Sequence, residues 1–200
     1  MSDTEAPARR PLALALFLVV AGLLGWIAAF ALTIEKFHVL ANPGESLSCD
    51  FSLIVQCTEN LNSPQGAAFF GVPNPIWGLG GFVAPIAVGV ALLAGARFAR
   101  WFWWLFNLGL AGALAFVIWL ISQSIYVLGT LCPWCMVVWS VTIPLFWTVT
   151  IHNLARGRLG AAAAPVGRAL TPWIVPITVL SYLVVALLAQ SWLDVLSYVF

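Results

Sequence analysis

Five apolar runs, each close to the length of a membrane-crossing helix, constrain this chain more than any other feature. They cover Pro11 to Ile34, Ile76 to Ala94, Trp101 to about Ile125, about Leu131 to Ile151 and about Pro172 to Leu193. About 20 apolar helical residues cross a hydrocarbon core roughly 30 Å thick. Only helices suit such runs, because an open sheet would leave backbone polar groups unpaired in lipid. Composition agrees: 62% of residues are hydrophobic and 8% charged, where a soluble domain carries about 25% charged residues. The expectation is an all-α membrane protein of one integral domain over residues 1–200, with helices near 11–34, 76–94, 101–125, 131–151 and 172–193. Residues 35–75 are read as an outer loop. Gly129, Thr130 and Pro133 break the third run from the fourth and predict a very short hairpin. The first run exceeds the about 7–15 apolar residues of a signal peptide, so it is read as an uncleaved span.

Charge orients the bundle. Arg9 and Arg10 precede the first run, Arg97 and Arg100 follow the second, and Arg156, Arg158 and Arg168 follow the fourth. The alternate connections hold only Lys36, against Glu35, Glu45, Asp50, Glu59 and Asp194. The positive-inside rule then puts the N-terminus in the cytoplasm, the C-terminus outside, and the chain in the cell membrane among lipids. With net charge +1 and its cations scattered, the sequence has no basic patch for nucleic acid.

All four cysteines fall on the outer, oxidising side, where disulfides are expected. In Cys132-Pro133-Trp134-Cys135, a proline at the first helical position makes Cys132 a helix N-cap. The positive helix end favours a thiolate there, and burial opposes it. Cys135 lies one turn deeper in the membrane. Cys49 and Cys57 would sit about 12 Å apart on one straight helix, and a disulfide needs about 4.4–6.8 Å between Cα atoms. If they pair, the chain between them must bend. Two such pairs on one face can relay electrons, since a thiolate attacks a disulfide through a mixed intermediate. In that reading the loop pair is open to a soluble thiol protein and the deeper pair to a lipid-dissolved acceptor. Two structural disulfides in a non-enzymatic scaffold are the plainer alternative. Against it, a C-x-x-C bridge closes so small a loop that it gains little from chain entropy. No metal site is expected.

Cys49-Asp50-Phe51 through Cys57, then Asn62-Ser63-Pro64, Gly71-Val72-Pro73-Asn74-Pro75-Ile76-Trp77-Gly78 and the Cys132/Cys135 pair resemble the vitamin K epoxide reductase family, in its bacterial disulfide-forming branch. The resemblance covers the first four runs. It implies a four-helix transmembrane bundle around a quinone (menaquinone or ubiquinone), with a fifth helix appended. It implies an oxidoreductase in which Cys132 and Cys135 are the active-site pair beside the quinone. Cys49 and Cys57 would shuttle electrons from a separate thioredoxin-like partner, Cys49 meeting the partner and Cys57 exchanging with Cys132. Ser63 and Asn74 match positions that line the site or bind the quinone. Animal members carry a Tyr four residues after the second active-site Cys, where this chain has Trp139, so thiol oxidation is favoured over vitamin K epoxide reduction.

Other residues carry weaker expectations. Trp139 lies one turn below Cys135 and is read as lining the pocket. Gln123 and Tyr126, near the outer end of the third run, are candidate quinone contacts, although Tyr is also an ordinary interfacial anchor. Ser63 and Asn74 are also turn formers. Asp50 is read as a solvated loop carboxylate. Asn107, polar at membrane depth, is read as interhelical glue.

Overall fold

The computed structural model describes residues 11–195; Arg9 and Arg10 lie outside the described residues. The described chain is all helix and loop. Helix α1 runs Leu12–Ala41, 30 residues, or about 45 Å. A hydrocarbon core is about 30 Å thick, so several turns stand clear of it. The apolar run ends at Ile34, ahead of the charged Glu35 and Lys36. The helix continues because each polar side chain on its last turns finds a partner. Lys36 Nζ donates to Leu61 O at 2.7 Å, the Ser48 hydroxyl donates to Glu35, and His38 Nε2 meets a Glu45 carboxylate oxygen at 3.1 Å. The expected loop 35–75 is therefore residues 42–73, resting against a helical post.

Within the loop lie α2 (Thr58–Asn62) and a 3₁₀ turn, Pro64–Ala67. Helix α3 (Asn74–Leu93) packs along α1. A Cβ on Gly89 would stand 2.7 Å from Ala15 O, so the two backbones nearly touch there, as small residues allow between helices in lipid. Helix α4 (Arg100–Ser122) continues into a π-helical turn, Gln123–Leu128, and Gly129 at φ +69° ends it. The expected hairpin follows, then α5 (Pro133–Ala155), the short α6 (Ala164–Leu170) and α7 (Ile174–Leu193).

Five of these segments are long and apolar enough to cross a membrane. Their outward faces expose Val20, Ile27, Leu108, Leu180 and Leu187. Apolar surface on that scale has lipid as its natural solvent, and the chain is a multi-pass membrane protein. Leu18, Trp103, Leu145 and Val149 form the centre of the core. Helix α7 sits on the flank of α5, where Trp147 Nε1 donates to Ser181 Oγ at 3.3 Å and the Tyr182 hydroxyl donates to Ser140 O.

The end of the bundle away from the cysteines is closed by a polar knot. Asn153, fully buried, donates to Asn107 Oδ1 at 3.1 Å, which gives Asn107 the interhelical role expected of it. Arg158 donates to Asn153 Oδ1 at 3.1 Å and lies over the Trp103 ring, 4.1 Å from its centroid. Arg100 Nε donates to Arg158 O at 2.7 Å. Burial, with Arg156 nearby, brings the Arg158 pKa down to about 10.

Candidate active site

The four cysteines converge at the opposite end. Cys49 and Cys57 form a disulfide with Cα atoms 5.8 Å apart. The chain between them is turn and extended loop, the bend that such a pairing requires. Cys57 is also the N-cap of α2. Cys132 is the N-cap of α5, as the following proline predicts, and its sulfur accepts from Cys135 N at 3.4 Å. The peptide N–H and the positive helix end both favour negative charge on that sulfur. Cys132 Sγ lies 3.3 Å from Cys57 Sγ. Cys132 and Cys135 are free thiols.

The expectation that a soluble thiol meets the loop pair directly is corrected. Cys49 is 3% exposed and Cys57 and Cys132 are 0% exposed. They pack with Leu32, Val39, Leu47 and Leu61 beneath the loop. Access requires the loop to open.

Asp50 is likewise more than a solvated carboxylate. It accepts from Leu47 N (3.0 Å), Cys57 N (2.7 Å), Thr58 N (3.2 Å) and Thr58 Oγ1 (2.5 Å). Partial burial pushes its pKa up, but the Thr58 hydroxyl and the three backbone N–H groups outweigh this and hold it below the ordinary 3.8. One side chain thus laces the loop segment around Cys49 to the start of the helix after Cys57. Cys49, Asp50 and Cys57 bring possible ligand atoms within 4.8 Å of one another, but the two sulfurs are spent on each other in the disulfide.

Beneath the cysteines a cavity of about 1100 Å³ opens between α1, α3, α4 and α5. Cys135, Trp139, Ser63, Asn74 and Gln123 all line its cysteine end. Asn74 Oδ1 accepts from Ala68 N at 3.0 Å and its Nδ2 donates to Gln65 O at 2.6 Å. That leaves one amide hydrogen uncommitted. The Ser63 hydroxyl is committed, donating to Asn60 O at 2.9 Å and accepting from Gly66 N at 3.2 Å; it caps the 3₁₀ turn. Gln65 Nε2 donates to Gln123 Oε1 at 3.3 Å, while Gln65 Oε1 is buried without a partner. The cavity wall is otherwise mostly apolar, and Gly81 on it has open space where a side chain would stand. A flat ring with two oxygens and a long apolar tail fits this lining: the uncommitted Asn74 N–H can donate to a ring oxygen, Gln65 Oε1 can accept from a hydroxyl of the reduced ring, and the wall beyond is apolar.

Tyr126 does not join this group. It is exposed and packs edge-on against Trp192, their ring centroids 5.2 Å apart. The π turn is the reason: its wider winding carries Tyr126 off the face that presents Gln123. Gln65 and Asn60, which no sequence pattern singles out, also line the cavity, whereas Thr130 does not. Asn60 bonds to Thr130 across 70 residues, a pairing that no local pattern signals.

A bundle of lipid-exposed helices that brings a disulfide and two thiols together above an apolar cavity has the make-up of a membrane oxidoreductase. The chain belongs to the vitamin K epoxide reductase family, whose family model matches residues 16–150. No curated protein matches it. Membership gives it a quinone-linked redox function.

Proposed function

We propose that the chain is a thiol oxidase that forms disulfides in an extracytoplasmic, thioredoxin-like partner and passes the electrons to a membrane quinone. The observation that carries this reading is the 3.3 Å contact between Cys57 Sγ and Cys132 Sγ, with Cys135 on the cavity wall. The cysteine end is read as extracytoplasmic. Supporting this, Arg97, Arg156 and Arg158 lie in the connections at the opposite end of the spans, with Arg100 at the start of α4 and Arg168 in the short α6.

The relay balances as follows. A partner thiolate attacks Cys49 in the Cys49–Cys57 disulfide and releases Cys57 as a thiolate. The partner's second thiolate then resolves the mixed disulfide and frees Cys49. Cys57 attacks Cys132 of an oxidised Cys132–Cys135 pair, forming Cys57–Cys132 and releasing Cys135. Cys49 attacks Cys57, restores the loop disulfide and leaves Cys132 reduced. Two electrons have then moved from partner to deeper pair. The arrangement in the structure, loop pair oxidised and deeper pair reduced, matches the end of this hand-over. Because the loop pair is buried, the first step needs the loop to open around Cys49.

Asn74, Gln65, Gln123 and Trp139 would hold the quinone ring, and the apolar wall its tail. When bound, the quinone accepts two electrons and two protons. The dry wall keeps water from the thiols, and the α5 N-terminus stabilises negative charge on Cys132.

The test is quinone reduction by detergent-purified protein fed with a reduced thioredoxin-like protein. Wild type should turn over, and Cys57→Ala and Cys135→Ala should not. Equal turnover without Cys135 would exclude the relay.

A further inference from the structure

The loop pair must do two opposed things: open at Cys49 to meet a donor, and hold Cys57 against Cys132. The hydrogen bonds divide accordingly. On the Cys57 side, Leu131 N donates to Ile54 O at 2.7 Å and Gln56 N donates to Leu131 O at 3.1 Å, a short parallel bridge between Val55 and Leu131. Gln56 adjoins Cys57 and Leu131 adjoins Cys132. One turn beyond Cys57, Asn60 Nδ2 donates to Thr130 Oγ1 at 2.9 Å. Thr130 is itself fixed: its N–H donates to Ser124 O at 3.1 Å, and the buried Ser124 hydroxyl donates to Thr130 O. The sulfur contact is bracketed before and after by bonds from loop to hairpin.

The Cys49 side is tied elsewhere. Its bonds run to the α1 post, through Ser48 to Glu35 and Glu45 to His38, and to the Cys57 side through Asp50 and through Phe51 N, which donates to Val55 O, but not to the hairpin. Among the described residues, no hydrogen bond joins residues 42–51 to the hairpin at 129–135.

We propose that Asn60 and Thr130, with the Val55–Leu131 bridge, form a clamp that keeps Cys57 in exchange contact with Cys132 while the Cys49 half of the loop lifts. Asn60 and Thr130 are positioning residues, acting through the two cysteines. The inference rests on the relay proposed above.

The test measures positioning directly. In Cys49→Ala/Cys135→Ala protein, Cys57 and Cys132 are the remaining thiols. In a glutathione buffer, oxidised glutathione takes up their two electrons and two protons to give two reduced glutathiones and a Cys57–Cys132 bond. The equilibrium constant is the effective concentration of one thiol at the other. Thr130→Val keeps the shape and removes the hydroxyl. It should lower that concentration about fivefold, the order expected for one neutral hydrogen bond, and Thr130→Ser should restore it. Dithiothreitol-driven quinone reduction through Cys132–Cys135 alone, in a Cys49→Ala/Cys57→Ala background, should be unmoved by Thr130→Val. An unchanged effective concentration in the valine variant overturns the clamp. So does a serine variant as poor as valine, or a parallel fall in the dithiothreitol-driven rate, since either makes Thr130 a packing residue. Failure of the parent double variant to form Cys57–Cys132 at all, with Thr130 in place, overturns the relay itself.

Discussion

Asp50→Ala should make the Cys49–Cys57 disulfide much easier to reach from solution. The disulfide is buried, so a reductant acts on the fraction of molecules whose loop is open. Opening around Cys49 separates residues 47–50 from Cys57 and Thr58, and the Asp50 carboxylate joins them through three hydrogen bonds. Hydrogen bonds to a charged group contribute about 1.5–3 kcal/mol each when buried. These three share one partly exposed carboxylate, so their joint value is that of one such bond, about 2 kcal/mol. That shifts the opening equilibrium about 30-fold. The assay is the rate of disulfide loss with a phosphine reductant, read by thiol labelling and mass spectrometry. Protonating Asp50 should act in the same direction. Its folded pKa lies below the ordinary 3.8, so its contribution is complete above about pH 4 and is lost as the pH falls through that lowered pKa. The wild-type rate, corrected for phosphine ionisation, should therefore be flat from neutrality to about pH 4 and rise only below it. Asp50→Asn, which keeps one acceptor, should fall between. If Asp50→Ala is reduced at the wild-type rate, the loop opens without parting these bonds and the reasoning is wrong.

Three further outcomes are expected. Gly81 is on the cavity wall and a Cβ there meets nothing within 4 Å, so Gly81→Leu should narrow the cavity; quinone turnover should fall at least about tenfold, or roughly 1.4 kcal/mol, with loop disulfide reduction unchanged. Arg158→Leu leaves Asn153 Oδ1 buried without its donor and removes the cation from Trp103; thermal unfolding in detergent should show a loss of about 2–3 kcal/mol, and sulfur exchange should be unaffected. Tyr126→Phe should leave quinone kinetics unchanged, because that ring lies off the cavity.

Much of this protein is written in local pattern. Runs of apolar residues define the five spans because lipid demands helices of that length. Pro133 after Cys132 declares an N-cap, and the structure has one. The spacing of Cys49 and Cys57 declares that a disulfide between them bends the chain, and it does. What escaped the sequence depends on groups far apart in the chain meeting in space. Helix α1 outruns its apolar stretch because Lys36, Glu35 and His38 find partners in the loop. Asp50 turns from a solvated charge into a lace because Thr58 folds back upon it. Tyr126 leaves the cavity because one turn of α4 winds more widely than its neighbours. Periodicity and capping act within a turn or two of chain and can be read in order. Burial of the loop disulfide and its contact with Cys132 exist only once the loop has packed onto the end of the bundle, so the tertiary structure alone decides them.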